Sequence, residues 1–141
     1  MNIRQCWQLN ADLNVFEIPI RIQNPQSGLS IIRNCILDTG FIGYLGLDLA
    51  TIKNLKLPSI GKGKALTITG EIQFDNYKGK VDILGENQSV LGEIKNLDAN
   101  SVEVEIPIQV FKVPIIGIKS IIQFSWLILE GKKWICFFTN D

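Results

Sequence analysis

The stretch Asn34–Leu49 reads N-C-I-L-D-T-G-F-I-G-Y-L-G-L-D-L. Its apolar beginning, Cys35–Leu37, is typical of a β-strand and ends directly on Asp38. A carboxylate at the end of a buried strand is costly to desolvate unless other groups stabilise its charge or share its proton. Thr39 then adds a short hydroxyl, and Gly40 adds a backbone that can turn sharply. The stretch predicts either an ordinary Asp-Thr-Gly turn or a loop that presents a functional carboxylate.

Two motifs carry a resemblance to a known family. The pattern hydrophobic-hydrophobic-Asp-Thr-Gly at Asp38 resembles the active-site loop of aspartic proteases, and Phe41–Leu47 looks like the single-lobed, retropepsin-like members found in prokaryotes. Further along the chain, Val113–Gly117 (V-P-I-I-G) resembles the strand that packs behind that loop in the family. The resemblance extends over Val15–Phe138, whereas Gly85–Ser101 matches no part of the family that we can name.

The resemblance implies a fold, an assembly and an activity. The fold would be all-β, a retropepsin-like closed β-barrel with one or two short helices. The chain contains one Asp-Thr-Gly and no Asp-Ser-Gly, so a catalytic pair must come from two chains. Asp38 of each chain would then meet its copy across the twofold axis of a homodimer. The implied activity is that of an aspartic endopeptidase, which hydrolyses peptide or protein substrates and needs no cofactor and no metal.

The resemblance also implies roles for individual residues of the loop. Asp38 would be catalytic, Thr39 would link the two loops across the axis, and Gly40 would offer its carbonyl to the substrate backbone. Phe41 replaces the small residue common at this position in retroviral members, and it could line the cleft or pack under the loop. The structural support behind the loop would come from the strand that contains Ile115, Ile116 and Gly117.

A hairpin is predicted where the family carries its flap. Ala65–Thr69 and Glu71–Tyr77 have the pattern of two strands around Gly70. A flap needs a mobile and nearly bare backbone at its tip, which Thr69 and Gly70 supply. We expect Phe41, Thr69, Gly70 and Glu71 to bind substrate, and an ordinary hairpin turn is the alternative.

Composition narrows the function without reference to any family. The length of 141 residues predicts one domain, 1–141. The 23 isoleucines favour a mainly β fold. Fourteen basic and fourteen acidic residues cancel, and no segment concentrates Lys or Arg, so we expect no nucleic acid partner. The chain has no histidine, which excludes Ser-His-Asp, Cys-His and His-ligated metal sites and leaves acid–base catalysis to carboxylates, with a lysine or a tyrosine as the alternative.

The cysteines and the apolar runs lead to a prediction about location. The three cysteines are scattered, and their spacing suggests neither a disulfide framework nor a zinc site. No apolar run approaches the roughly 20 residues of a membrane helix, and the N-terminal residues lack a signal-peptide core. The sequence therefore predicts a cytoplasmic protein that does not enter a membrane.

Periodicity predicts the remaining elements. Four strands and two helices follow from alternation, capping and helical spacing, and Lys56–Lys64 is expected to be a loop. Pro19 suggests that the first strand lies at an edge. The strands are Val15–Gln23, Leu29–Leu37, Lys78–Leu84 and Ser101–Val110, and the helices are Leu49–Leu55, capped by Asp48, and Ile118–Phe124. A closing hairpin is expected from Trp126–Leu129 and Lys133–Phe138, the latter being the first choice for the dimer seam and the N-terminal arm the second.

Two other functions remain open at this point. The chain could be a retropepsin-fold dimer that is catalytically weak or inactive and serves as a binding or scaffold module, since fold does not determine function. It could also be an unrelated β-barrel binding domain in which Asp38 is an ordinary surface turn residue. Proximity of two Asp38 side chains would separate the first from an active protease, and a strictly monomeric chain would favour the second.

Overall fold

The computed structural model describes residues 2–83, 104–122, 125–129 and 133–139. It is mainly β, with 60% strand and 10% helix, as the sequence predicts. The strands are β1 (Asn2–Asn10), β2 (Val15–Gln23), β3 (Ser30–Leu37), β4 (Leu45–Leu47), β5 (Ser59–Thr67), β6 (Gly70–Ile83), β7 (Val104–Val110), β8 (Ile115–Ile116), β9 (Ser125–Leu129) and β10 (Trp134–Thr139). The helices are α1 (Leu49–Asn54) and α2 (Ile118–Ile121).

In the described part of the chain, one sheet connects the ten strands in the order β5-β6-β7-β4-β8-β3-β2-β1-β10-β9. Because β6 also pairs with β2, the pairings run through β2, β3, β8, β4, β7 and β6 and return to β2. This ring of pairings is not arranged evenly around an axis. β1, β10 and β9 form an antiparallel extension beside it.

The order of the central strands brings two distant segments side by side. β3 pairs in parallel with β8, with Ile36 opposite Ile115 and Leu37 opposite Ile116. β4 lies on the other side of β8, antiparallel to β8 and parallel to β7. The chain leaving β3 must therefore pass over β8 before it re-enters the sheet as β4. The loop that makes this passage begins at Asp38.

Alternating apolar residues of β2 and β7 build the core, as the period of two predicts. Ile18, Ile20 and Ile22 of β2 are buried, and so are Ile106 and Ile108 of β7. Each buried isoleucine of this size stabilises the fold by about 1.5–3 kcal/mol relative to an exposed one. The two strands thus anchor the sheet on which the candidate site is built.

The prediction that Pro19 marks an edge strand is wrong. β2 pairs with β3 along Glu17–Gln23 and with β6 along Ile20–Gln23, so it lies inside the sheet. On the side facing β6, the neighbouring strand β1 pairs only with Val15–Phe16. Pro19 falls between these two paired segments, where an edge that is open locally tolerates a residue without an N–H.

The loop predicted over Lys56–Lys64 is also wrong from its fourth residue onward, because β5 spans Ser59–Thr67. Gly61 has φ 103° and stands where the pairing register with β6 shifts, as at a β-bulge. Gly63 lies under the ring of Phe74, whose Cε2 would be 2.6 Å from a Cβ at that position. Gly61 therefore allows a bulge and Gly63 allows a close ring contact, both within a strand. A glycine-rich composition is otherwise typical of a loop, which is why the sequence predicted one here.

Side-chain hydrogen bonds fix the first helix at both ends. Asp48 caps α1 as predicted, because its carboxylate accepts from the Thr51 N–H (3.0 Å) and the Thr51 hydroxyl (2.7 Å). The hydrogen bond from the Thr51 hydroxyl is the main cause that holds the pKa of Asp48 below its usual value. Asn24 is buried after β2 and donates to the carbonyls of Leu55 (2.9 Å) and Lys56 (2.8 Å) at the other end.

The cysteines differ from the sequence prediction. Cys6 of β1 and Cys136 of β10 form a disulfide across 130 residues of sequence, because the two strands pair with these residues directly opposite each other. Their spacing in the sequence carries no sign of that pairing. Cys35 is buried with a free thiol, and burial raises its pKa to about 12.

Several predictions fall partly outside the described residues. Gly85–Ser101 and the turn Glu130–Lys132 lie wholly outside them, as do the start of the predicted strand Ser101–Val110 and the end of the predicted helix Ile118–Phe124. The part of that helix that is described, α2, begins at Ile118 as predicted. Within the described ranges, no helix combines the length and apolar character needed to cross a membrane.

Candidate active site

Asp38 stands at the point where β3 leaves the sheet. The Asp38 N–H donates to the carbonyl of Ile116 (3.0 Å), and the Ile36 N–H donates to that of Pro114 (3.0 Å). These bonds continue the parallel β3–β8 ladder up to Asp38 itself. The backbone of Asp38 is therefore held by the sheet, while the Asp38 side chain lies just beyond the last hydrogen bond of the ladder.

The Asp38 side chain is exposed, as are Thr39 and Gly40. Its Oδ1 accepts the Gly40 N–H at 2.8 Å, and its carbonyl accepts the Phe41 N–H at 3.3 Å, which closes a tight Asx-type turn. Because the Asp38 side chain is exposed to solvent, the single chain does not bear the desolvation cost that the sequence analysis considered for a carboxylate at the end of a buried strand.

The segment β8–α2 holds the loop from behind. The Ile118 N–H donates to the carbonyl of Phe41 (2.9 Å), and the Lys119 N–H donates to that of Gly43 (3.0 Å). The carbonyl of Tyr44 accepts both the Gly117 N–H (3.0 Å) and the Ser120 hydroxyl (2.8 Å). Four donors from this one segment thus hold three backbone carbonyls of the loop, those of Phe41, Gly43 and Tyr44.

Gly117 leaves no room for a side chain at this contact. A Cβ there would lie 2.2 Å from the carbonyl oxygen of Gly43 and 2.7 Å from that of Phe41. Both neighbours are backbone atoms whose own hydrogen bonds hold the loop, so they cannot move aside cheaply. The V-P-I-I-G motif therefore brings a glycine against the Asp38 loop, together with the buried side chains of Ile115 and Ile116.

Phe41 packs under the loop. Its ring is half-buried and contacts that of Phe111, with 5.2 Å between the ring centroids and 51° between the planes. The same ring lies against the backbone of Gly43, Gly46 and Gly117. Of the two positions that the sequence left open for Phe41, the structure contains the packed one, so the ring shapes the loop from beneath.

The predicted hairpin is present and longer than expected. β5 and β6 pair from Ser59 opposite Tyr77 to Thr67 opposite Gly70, with a turn between the strands. Thr69 and Gly70 are exposed, and Gly70 has φ 124°, which only glycine adopts readily. Glu71 pairs with Lys64 at 3.4 Å on the exposed face. The two turn residues are Ile68 and Thr69, and the Ile68 side chain is fully exposed, so Gly70 next to them is the residue of the tip that lacks a side chain.

The hairpin and the loop share a pocket that sequence reasoning missed. It has a volume of about 150 Å³ and lies between the loop after Asp38, the β5–β6 hairpin, β7 and α2. Its polar lining residues are Lys64, Asn76, Gln109 and Lys119, and its rings are those of Tyr44, Phe74 and Pro107. No single stretch of sequence signals it, because each element contributes one or two residues.

Metal binding finds no support among the described residues. No group of three or more His, Cys, Asp or Glu side chains is placed there to hold an ion. The chemistry available at the Asp38 loop is that of a carboxylate, backbone amides and backbone carbonyls. A scan against protein-family models matches none of them, and a search of curated proteins matches none either.

Proposed function

We propose that this chain is an aspartic endopeptidase that acts as a homodimer, with Asp38 of each chain forming the catalytic pair. The observation that carries the proposal is the Asp38 loop. It presents an exposed carboxylate at the end of β3, and hydrogen bonds from β8 and α2 fix the backbone behind it. An ordinary surface turn has no need of such support.

Two carboxylates at the twofold axis share one proton, because like charges a few ångströms apart cannot both ionise. The ionised partner activates a water as a base, while the protonated partner polarises the peptide carbonyl as an acid. This is the known chemistry of aspartic proteases. In this chain the Gly40 N–H donates to Oδ1 of Asp38, which orients the carboxylate.

The proposed substrate is an extended peptide held by backbone hydrogen bonds, in the manner of an added strand. The Gly40 carbonyl contacts it from below, and Thr69, Gly70 and Glu71 of the hairpin close over it from above. Thr39 links the two loops across the axis. Phe41 supports the floor from beneath, because its ring packs against Phe111 under the loop.

The finer fold proposed is a retropepsin-like closed β-barrel. Its support is the ring of pairings that returns from β6 to β2, together with the parallel placement of β8 beside β3. The order of elements also follows the resemblance: aspartate loop, hairpin, Ile-Ile-Gly strand and short helix.

The dimer seam needs a different location from the first choice made on the sequence. β10, which contains most of Lys133–Phe138, pairs with β1 on one edge and with β9 on the other. Neither edge can accept a partner strand. Among the described residues, that edge of β1 pairs with β2 at Leu9 and Asn10 alone. We therefore propose the seam on the rest of that edge, which belongs to the N-terminal arm, the second choice.

A cytoplasmic location remains part of the proposal, and one observation opposes it. Disulfides are rare in the cytosol of mesophilic organisms, whereas Cys6 and Cys136 are bonded here. A cytoplasmic location would keep the two thiols reduced, so this part of the proposal requires that β1 and β10 pair without the bond.

The proposal is tested by digestion of a mixture of unstructured peptides at mildly acidic pH, with mass spectrometry of the products and light scattering of the protein. The wild type should cleave and have a mass near twice 15.8 kDa. Asp38→Asn should keep that mass and lose cleavage by about 10³-fold or more. Asp75→Asn, an exposed carboxylate on β6, is the matched control and should cleave normally.

Two results would overturn the proposal in different ways. A dimer of unchanged mass that cleaves no peptide would leave the alternative, a retropepsin-fold binding or scaffold module. A strict monomer at high concentration would leave Asp38 without a partner, as expected for an unrelated barrel.

A further inference from the structure

The pocket between the loop and the hairpin has a cationic lining. Its volume of about 150 Å³ is the size of a cavity that holds one benzene ring, and an aspartate or glutamate side chain is no larger. Lys64 and Lys119 are among the lining residues, and no acidic residue is. The pocket is therefore large enough for an acidic side chain and offers it no like charge.

The acidic side chains of the hairpin lie on its other face. Successive side chains of a strand point to opposite sides of a sheet, and Phe74 and Asn76 of β6 line the pocket. Glu71 and Asp75 stand at the alternate positions of the same strand, and Glu71 pairs with Lys64 at 3.4 Å. The charge of Lys64 is thus paired on the outer face and is not available to a ligand in the pocket.

Lys119 has no carboxylate partner in the part of the chain that the structure describes. Its ammonium lies 5.8 Å from the ring centroid of Tyr44, and a ring face attracts a cation without neutralising its charge. The residue is exposed, so a ligand that enters the pocket can reach the ammonium. A concave surface that carries such a charge favours an anionic ligand group.

The backbone of Lys119 is held at the candidate active site. Its N–H donates to the carbonyl of Gly43 (3.0 Å), one of the bonds that hold the Asp38 loop. Gln109 packs on the same residue, because a Cβ at Gly43 would lie 2.7 Å from its Oε1. The base of the Lys119 side chain therefore keeps a fixed position relative to the loop that carries Asp38, as a specificity subsite requires.

We propose that this pocket is a subsite for an acidic side chain, glutamate or aspartate, of the extended peptide substrate, and that Lys119 is the residue that selects it. The substrate carboxylate accepts from the Lys119 ammonium, and its aliphatic stem lies against Phe74 and Pro107, which line the pocket. A neutral side chain of the same size would contact the same walls without the charge interaction, and a basic side chain would be repelled. This inference rests on the proposed function for the peptide, while the charge of the pocket does not.

The test is a set of hexapeptides in which one glutamate is moved along an alanine-leucine background, with glutamine or lysine in matched peptides. Binding is measured by calorimetry at pH 7 on Asp38→Asn, which separates it from cleavage. At one position glutamate should bind about fivefold more tightly than glutamine, as expected for a solvent-exposed ion pair, and lysine should bind more weakly than either. The preference should decline as salt is raised from about 0.05 M to about 0.5 M, because salt screens exposed charges.

Three variants in the same background assign the preference to one residue. Lys119→Gln, which removes the charge and keeps a polar side chain, should bind glutamate and glutamine equally, and Lys119→Glu should bind lysine most tightly. Lys112→Glu is the matched control, because it makes the same change of charge at an exposed residue between β7 and β8 that does not line the pocket. It should leave the preference for glutamate unchanged.

Four results would each overturn the subsite: equal binding of glutamate and glutamine at every position, tighter binding of lysine, a preference that survives Lys119→Gln, or no binding of any peptide. Cleavage by the wild type without glutamate preference would remove the subsite and leave the protease. Glutamate-selective binding that depends on Lys119, without cleavage by the wild type, would remove the protease and leave the pocket as a site for acidic peptides.

Discussion

At the scale of single residues, Gly117 connects the V-P-I-I-G motif to the candidate site. Its α-carbon faces two backbone carbonyls, those of Gly43 and Phe41. A side chain there would have to push the Asp38 loop away from β8 and α2. The sequence motif alone indicated this role only through the resemblance, and the contact distances now give its physical reason.

We expect Gly117→Ala to lower the free energy of unfolding by about 3 kcal/mol or more, at the upper end of overpacking effects, because its neighbours are backbone atoms. Urea unfolding followed by tryptophan fluorescence measures the change. Lys119→Ala, two residues away on the exposed face, should shift the midpoint little and is the control. A Gly117→Ala variant as stable as the wild type would show that the contact does not hold the loop.

Asp48 gives a pH-dependent prediction at the same scale. Its pKa is lowered in the folded chain, chiefly by the hydrogen bond from the Thr51 hydroxyl. A lowered carboxyl pKa contributes stability that is present above the unfolded pKa and lost as pH falls through the folded pKa. We expect Asp48→Ala to cost about 1 kcal/mol at pH 7, as the loss of an N-cap does.

The cost should shrink when unfolding is repeated at a lower pH, because the wild-type carboxyl loses its charge as pH falls through its folded pKa. Asp12→Ala, an exposed residue whose side chain caps no helix, is the comparison. A penalty for Asp48→Ala that is equal at both pH values would mean that the charged cap does not contribute.

At the scale of elements, the sequence predicted the bounds of a strand or helix correctly where a local pattern, such as a buried face or a cap, determines them. β2 and β3 were placed to within one residue. In β2 the alternation of isoleucines fixes which face is buried, and β3 is bounded by the turn before it and by Asp38 after it. α1 was found from its cap at Asp48. The prediction failed for β5, because the glycines at the bulge (Gly61) and at the ring contact (Gly63) give this strand the composition of a loop. The prediction that Pro19 marks an edge strand was wrong, because a strand can lack a partner at one residue on one side and still lie inside a sheet.

The β1–β10 pairing makes a prediction about thiols. In 6 M guanidinium without reductant one thiol should react with a chromogenic disulfide reagent, namely Cys35, because Cys6 and Cys136 are bonded. After reduction three should react. In the native protein Cys35 should react far more slowly, because it is buried and its pKa is raised to about 12. Three reactive thiols before reduction would contradict the disulfide.

At the scale of the whole molecule, the sequence predicted the candidate loop and its support but not the pocket. Asp38 and Gly117 lie in two short motifs that can be read directly, and the sheet brings them together through the β3–β8 pairing. Asn76, Gln109 and Lys119 lie on three elements, so only the folded chain reveals that they share a space. The sequence does not say which strand edges are already paired within the chain, and for that reason the proposed seam moves from β10 to β1.

The central claim is that two copies of Asp38, one from each chain, form the catalytic pair. The most direct measurement mixes wild type with Asp38→Asn at constant total concentration, allows the chains to exchange, and follows peptide cleavage against the wild-type fraction. Heterodimers carry one carboxylate and should be inactive, so the rate should follow the square of that fraction, about one quarter at equal amounts. A linear dependence, about one half, would mean that each chain acts alone, and it would contradict the account.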